Sequence, residues 1–182
     1  AFADAVREAD RRYHLSATTA HRMALLAMDQ YGCLLGDLVP GGRLVTDLLS
    51  AQQVAAASRV AILLPAALLI QADPLPHSWE VTSDAIAAWM AGLARAPRLV
   101  LLKDVDGLFS APPAHGNEAV LLPRLSVEEL ARHQGGVDAT LATVLASLRL
   151  DTWVINGRHP ERLAQLLTSG KTLGTWIPAV LL

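Results

Sequence analysis

Apolar residues recur along this chain at two spacings, and the alternation between them outlines its elements. Residues 2–13 carry apolar positions at helical intervals and predict a first helix. A second is expected from a cap at Ser16 or Thr18 to about Leu35, with Met23, Leu26, Ala27 and Gln30 at helical spacing. Gly36 and the Pro40-Gly41-Gly42 cluster read as its end. A short helix near residues 45–57 leads into residues 59–64, an apolar run of buried-strand length that residues 67–70 extend as further strand. Beyond Asp73-Pro74-Leu75-Pro76, residues 84–94 predict an amphipathic helix and residues 98–102 a strand ending at Lys103. Residues 104–123 form a long polar loop with room for a small hairpin. Ser126-Val127-Glu128-Glu129 has the capping-box pattern and opens a helix to about His133. Residues 137–148 predict a helix, 152–155 a strand, 160–167 a helix after the Asn156-Gly157 turn, and 175–180 a closing strand. This order argues for an α/β fold with a mostly parallel sheet and helices on both faces. No internal repeat or low-complexity linker interrupts it.

Composition narrows the function classes. The chain has 182 residues, the length of one ordinary domain, and its 15 basic against 17 acidic residues give a net charge of −2. No basic stripe suited to nucleic acid is present. A hydrophobic content of 52% with 18% charge excludes a disordered chain. The longest apolar run, residues 60–70, is interrupted by Pro65 and falls short of the roughly 20 residues a membrane span needs. One cysteine, Cys33, excludes an internal disulfide framework and a cysteine-rich zinc site. No charged segment followed by an apolar block opens the chain, so no signal peptide is expected and a cytoplasmic location fits. Helical periodicity begins without a lead-in, which suggests a natural start further upstream.

Two stretches carry candidate chemistry. The first is Pro76-His77-Ser78-Trp79-Glu80-Val81-Thr82-Ser83-Asp84, in which oxygen-bearing side chains precede a helix start where free N–H groups favour an anion or phosphate. Asp84 either caps that helix or orients a lysine or a hydrated metal ion beside a phosphate. The second is Leu101-Leu102-Lys103-Asp104-Val105-Asp106-Gly107-Leu108-Phe109. Here a buried strand delivers Lys103, Asp104, Asp106 and Gly107 at its carboxyl end, the usual ligand edge of an open α/β sheet. Asp106-Gly107 also suits a plain tight turn. Lys103 is one of only two lysines, the other being Lys171, and its ammonium suits a phosphate oxygen. Asp138, after Gly135-Gly136-Val137, reads equally as a helix cap or a phosphate or metal ligand. The six histidines show no metal-ligand spacing, and no metal site is expected. Cys33, in an apolar helical context, reads as an inert buried thiol. There is no Walker loop, dinucleotide fingerprint or nucleophile elbow.

Taken in order, three stretches resemble the amino acid kinase superfamily, which includes acetylglutamate kinase, uridylate kinase and aspartokinase. They are Val81-Thr82-Ser83-Asp84-Ala85-Ile86-Ala87-Ala88, the Leu101–Phe109 stretch, and Val154-Ile155-Asn156-Gly157-Arg158-His159-Pro160-Glu161-Arg162-Leu163 with the following Gly174-Thr175. Trp79, the Pro-Leu-Pro-His loop and Phe2-Ala3-Asp4 look closest to the branches of the aminomethylfuran phosphate kinases and the molybdenum storage proteins. The resemblance implies a three-layer αβα sandwich with a mostly parallel central sheet, here lacking its first strand. It implies one domain over residues 1–182, with residues 1–72 the remnant of an acceptor-binding half and 73–182 a nucleotide-binding half.

By the same resemblance, Asp84 organises the phosphate-binding groups as the catalytic residue, and Trp79, Thr82 and Ser83 contact the acceptor. Lys103, Asp104, Asp106 and Gly107 contact the nucleotide, ATP is the donor, and Mg²⁺ bridges its phosphates. The implied activity is phosphoryl transfer to a small phosphorylated or carboxylated acceptor, an aminomethylfuran phosphate being one candidate. The alternative is a nucleotide- or oxyanion-binding storage protein without turnover. A homo-oligomer is expected, with Met23, Leu26, Met28 and Tyr31 available for its contact or for the core. The superfamily's amino-terminal strand and glycine-rich phosphoryl loop have no counterpart in these residues. The two readings are a truncated kinase, which is preferred, and a relative that has given up catalysis.

Overall fold

The computed structural model describes residues 2–111, 119–133 and 135–179. The fold is α/β, as expected, and its contacts divide into two compact units, residues 1–79 and 80–182. The boundary between them falls after Trp79.

The first unit begins with α1 (Phe2–Tyr13), which ends as the pattern predicts, and α2 (Ala17–Leu38), capped by the Ser16 side chain through the Thr19 N–H. Cys33 is exposed on α2 rather than buried, and Gly36 lies inside the helix rather than at its end. A Cβ there would come within 2.9 Å of Leu44 Cδ2, so the glycine permits close approach of the next strand. That strand is β1 (Arg43–Val45), which the pattern did not predict, and α3 (Leu48–Ala56) is the short helix expected near 45–57. β1 pairs in parallel with β2 (Ala61–Leu63) through a crossover containing α3. Residues 67–70 are not strand. They lie in α4 (Ala66–Ala72), which follows Pro65 and has its first N–H taken by the Asp29 carboxylate of α2 at 3.1 Å. A cap supplied from a distant helix leaves no local signal, and that is why the sequence misleads there.

The second unit follows the prediction more closely. α5 (Ser83–Leu93) precedes β3 (Arg98–Lys103), and β3 pairs in parallel with β4 (Asp151–Asn156). β5 (Thr175–Ile177) joins β4 antiparallel, giving the order β3-β4-β5. Between β3 and β4 come α6 (Val127–Arg132), with both halves of its capping box formed, and α7 (Leu141–Ser147). The expected hairpin survives as an antiparallel bridge between Phe109 and Leu121, and residues 112–118 lie outside the described ones. α8 (Pro160–Ser169) ends at Gly170 with φ +76°, a left-handed cap that glycine adopts without strain.

Strand alternation assigns the two faces of this sheet. Val100, Trp153 and Ile155 share one face and pack with Leu163 and Leu166 of α8. Leu99 and Leu101 are buried on the opposite face, on the side of α5, and Lys103 ends that row. Period-two alternation therefore aims the Lys103 side chain toward the start of α5, where Asp84 stands.

Candidate phosphate and nucleotide site

Lys103 and Asp84 form the centre of the site. The Lys103 Nζ donates to both carboxylate oxygens of Asp84 at 2.7 Å, and Asp84 is only 4% exposed. The Asp138 backbone N–H adds a third donor to Asp84 Oδ2 at 3.2 Å. The carboxylate thus trades its lost hydration for one fixed ammonium and one amide, the arrangement a buried charge requires. Asp84 does not cap α5 itself. That task falls to Asp138, whose Oδ2 accepts from the Thr82 N–H, the Thr82 hydroxyl and the Ala85 N–H, each at 2.9 Å. Its Oδ1 accepts from the Leu141 N–H at 2.7 Å, capping α7 as well. One carboxylate therefore ties two helix starts together, and α7 begins at Leu141 rather than at Val137.

The loop after β3 is equally ordered. Asp106 accepts from Arg162 Nη1 at 2.6 Å and Asn156 Nδ2 at 2.9 Å, while Asn156 Oδ1 accepts from the Arg158 N–H. The Asn156 amide first, and then the Arg162 guanidinium, hold the Asp106 carboxyl below the usual range. Gly107 sits at φ +152°, and a Cβ there would lie 2.7 Å from Thr175 Oγ1 and 3.0 Å from the Thr175 backbone nitrogen. Thr175 Oγ1 in turn accepts from the Leu108 N–H and donates to the Leu122 carbonyl. The loop is pinned to β5 at a point where only glycine fits.

Beside this loop opens a pocket of about 190 Å³ lined by Lys103, Asp104, Gly107, Phe109, Gly135 and Gly136, among others. Gly135 and Gly136 both have positive φ, +85° and +82°, so the backbone forms part of the wall without side chains. Of the eight residues singled out from the sequence, Lys103, Asp104 and Gly107 line the pocket, and Asp84 holds the lysine that does. Thr82 and Ser83 open α5, with Thr82 bonded to Asp138. Asp106 is engaged by Arg162 and Asn156 and is not among the lining residues. Trp79 belongs to the first unit, where its Nε1 donates to Asp10 Oδ2 at 2.7 Å and the Arg7 guanidinium lies 5.0 Å from the ring centroid. Of the two readings open for Asp138, the structure shows the helix cap, and Gly135 and Gly136 join the pocket wall without having been singled out from the sequence. The Gly-Gly-Val-Asp run after a capped helix was the available signal.

The residues present fit a polyphosphate. Lys103 supplies the cation, the glycines allow close backbone approach, and Asp104 is the carboxylate that could face a phosphate-bound Mg²⁺.

Comparison with known proteins identifies the family. Residues 3–156 match the sequence model of the Amino acid kinase family. The chain is 27% identical over 179 residues to the [5-(aminomethyl)furan-3-yl]methyl phosphate kinase of Methanocaldococcus jannaschii, covering 98% of this chain and 80% of that protein. It is 31% identical over 114 residues to the uridylate kinase of Methanosarcina acetivorans, covering 54% of this chain and 49% of that relative. The crystal structure of uridylate kinase from Archaeoglobus fulgidus superimposes with a TM-score of 0.72 at 23% identity, over 96% of this chain and 79% of that one. The fold is therefore the one these kinases share, and the chain belongs to the amino acid kinase family.

Proposed function

We propose that this protein is an ATP-dependent phosphotransferase whose second unit holds MgATP at the Lys103 pocket. The observation that carries the reading is the lysine ammonium, clamped by both oxygens of a buried aspartate at the carboxyl end of a parallel strand pair. Phosphoryl transfer depends almost wholly on positioning and charge stabilisation, so a fixed cation beside a glycine-walled pocket is what the reaction asks of this half. Asp84 acts by holding Lys103 in place and lowering the entropy of its long side chain. Lys103 offsets negative charge on the transferring phosphates. Gly107, Gly135 and Gly136 let main chain approach the polyphosphate, and Asp104 would help hold a Mg²⁺ that arrives with it, whose charge would offset that of the phosphates.

For the acceptor, the M. jannaschii relative, itself named for a furan-methyl phosphate, supports a small phosphate monoester of an aminomethylfuran. Thr82 and Ser83 at the start of α5 are the proposed acceptor contacts in the second unit. The test is transfer of the γ-phosphoryl group from ATP to aminomethylfuran-methyl phosphate, with UMP and glutamate as competing acceptors. Selective transfer to the furan phosphate, reduced about 100-fold or more in Asp84→Asn, is expected. Nucleotide binding without transfer to any acceptor would favour the storage reading instead, and unchanged transfer in Asp84→Asn would remove Asp84 from its role.

We also propose self-association through α2. Leu26 and Tyr31 are about half exposed, and Leu34 and Leu38 extend the exposed apolar surface along the same helix. Light scattering on the wild type and on Tyr31→Glu should show a dimer that the substitution weakens. Among the described residues no helix is long and apolar enough to cross a membrane.

A further inference from the structure

The histidines have no metal-ligand spacing along the sequence, yet the fold gathers two of them with a carboxylate. Within the first unit, His21 of α2 and His77 stack with ring centroids 4.4 Å apart and planes 20° from parallel. Asp73, the carboxyl-terminal cap of α4, lies against His77, with its Oδ1 at 2.7 Å from Nε2. One ligand atom from each of the three residues lies within 4.8 Å of the other two, the one such group among the described residues. We propose that His21, Asp73 and His77 bind a single divalent transition-metal ion, zinc being the best match, with solvent completing the coordination.

Three features of the cluster support this. First, the donor set is chemically selective. Two imidazoles and one carboxylate suit Zn²⁺ and its first-row neighbours and poorly suit Mg²⁺, which prefers oxygen ligands. Ligand atoms around a tetrahedral zinc with bonds of about 2.0–2.1 Å stand about 3.3–3.4 Å apart, so His77 Nε2 and Asp73 Oδ1, 2.7 Å apart here, spread slightly to admit the ion while the His21 nitrogen, within 4.8 Å of both, turns toward it.

Second, the outer partners are in place. His77 Nδ1 lies 3.0 Å from Thr18 Oγ1, and that contact fixes the ring while leaving Nε2 to face Asp73. Metal-bound histidines usually have such a partner on the other ring nitrogen.

Third, the scaffold is pre-formed. Asp73 and His77 flank Pro74-Leu75-Pro76, whose two prolines restrict the backbone, and Asp73 occupies the left-handed region at φ +45°. Asparagine and aspartate accept that conformation far more readily than most residues. A metal here would cross-link α2 to the loop after α4, a role separate from any Mg²⁺ that arrives with ATP.

The test uses the full chain, stripped of metal with a chelator and then titrated with Zn²⁺ against a chromophoric competitor. Co²⁺ is used in parallel to read coordination from its visible spectrum. One zinc per chain with micromolar or tighter affinity, a raised thermal midpoint and a low-symmetry Co²⁺ spectrum are expected. His77→Ala and His21→Ala should each weaken zinc by about 100-fold or more, and Thr18→Val by roughly 10-fold through the outer contact. Asp73→Asn keeps the left-handed backbone and removes the ligand charge, so it reports on the site even if a histidine variant fails to fold. Absence of stoichiometric zinc binding, or an affinity unchanged in Asp73→Asn and both histidine variants, overturns the proposal and leaves the three residues as a hydrogen-bonded cluster.

Discussion

Asp138 and Asp84 divide two tasks that a helix start often assigns to one residue. Asp138 satisfies N–H groups at the beginnings of both α5 and α7, and Asp84 is thereby free to hold Lys103. Replacing Asp138 with alanine strands several partly buried donors at once, at a cost of roughly 2–4 kcal/mol. Asp138→Asn keeps an acceptor oxygen and should lose clearly less, and urea unfolding of the two variants would show the difference. Asp106 behaves differently because it is partly exposed and its contribution depends on ionisation. Its carboxyl is held below the ordinary value of 3.8, so its stabilising effect is fully present above that pH. The effect falls away as pH drops below 3.8 toward the folded-state value, where the folded carboxylate also takes up its proton. The stability gap between wild type and Asp106→Asn should therefore be constant at neutral pH and close in acid, as read by urea midpoints across pH.

At the scale of elements, the sequence was most legible where local chemistry and tertiary packing agree. α1 spans Phe2–Tyr13 as its periodicity predicts, and the Ser126 capping box forms as written. Ser126→Ala should cost about 1 kcal/mol, measurable as a shifted unfolding midpoint. Legibility failed where a distant residue sets the outcome. Gly36 looks like a helix stop but serves the approach of Leu44, and residues 67–70 look like strand but are capped as helix by Asp29. The three-residue β1 is too short to show a period of its own. Gly107 lies in the bend that follows β3, and Thr175 fills the space a side chain there would need. Gly107→Ala, strained in φ and in contact with backbone, should destabilise by about 2–3 kcal/mol and distort the pocket beside it.

Across the whole molecule, the second unit's candidate site could be read from short stretches because each of its parts lies at the end of a predictable element. Asp84 opens a helix, Lys103 ends a strand, and alternation along β3 turns the lysine toward the aspartate. The His21–Asp73–His77 cluster could not be read in this way, since its members lie on α2 and a proline loop more than 50 residues apart in sequence. Family membership supplies the expectation of phosphoryl transfer, and the clamped Lys103 is the feature of this chain on which that expectation most depends. Calorimetric titration with MgATP of the wild-type chain and of Lys103→Met, each confirmed folded by circular dichroism, tests it most directly. Saturable binding of one nucleotide per chain, weakened about 10-fold or more by the substitution, is the predicted result. No saturable binding to the folded wild type, or the same affinity in Lys103→Met, would contradict a nucleotide site built around this lysine.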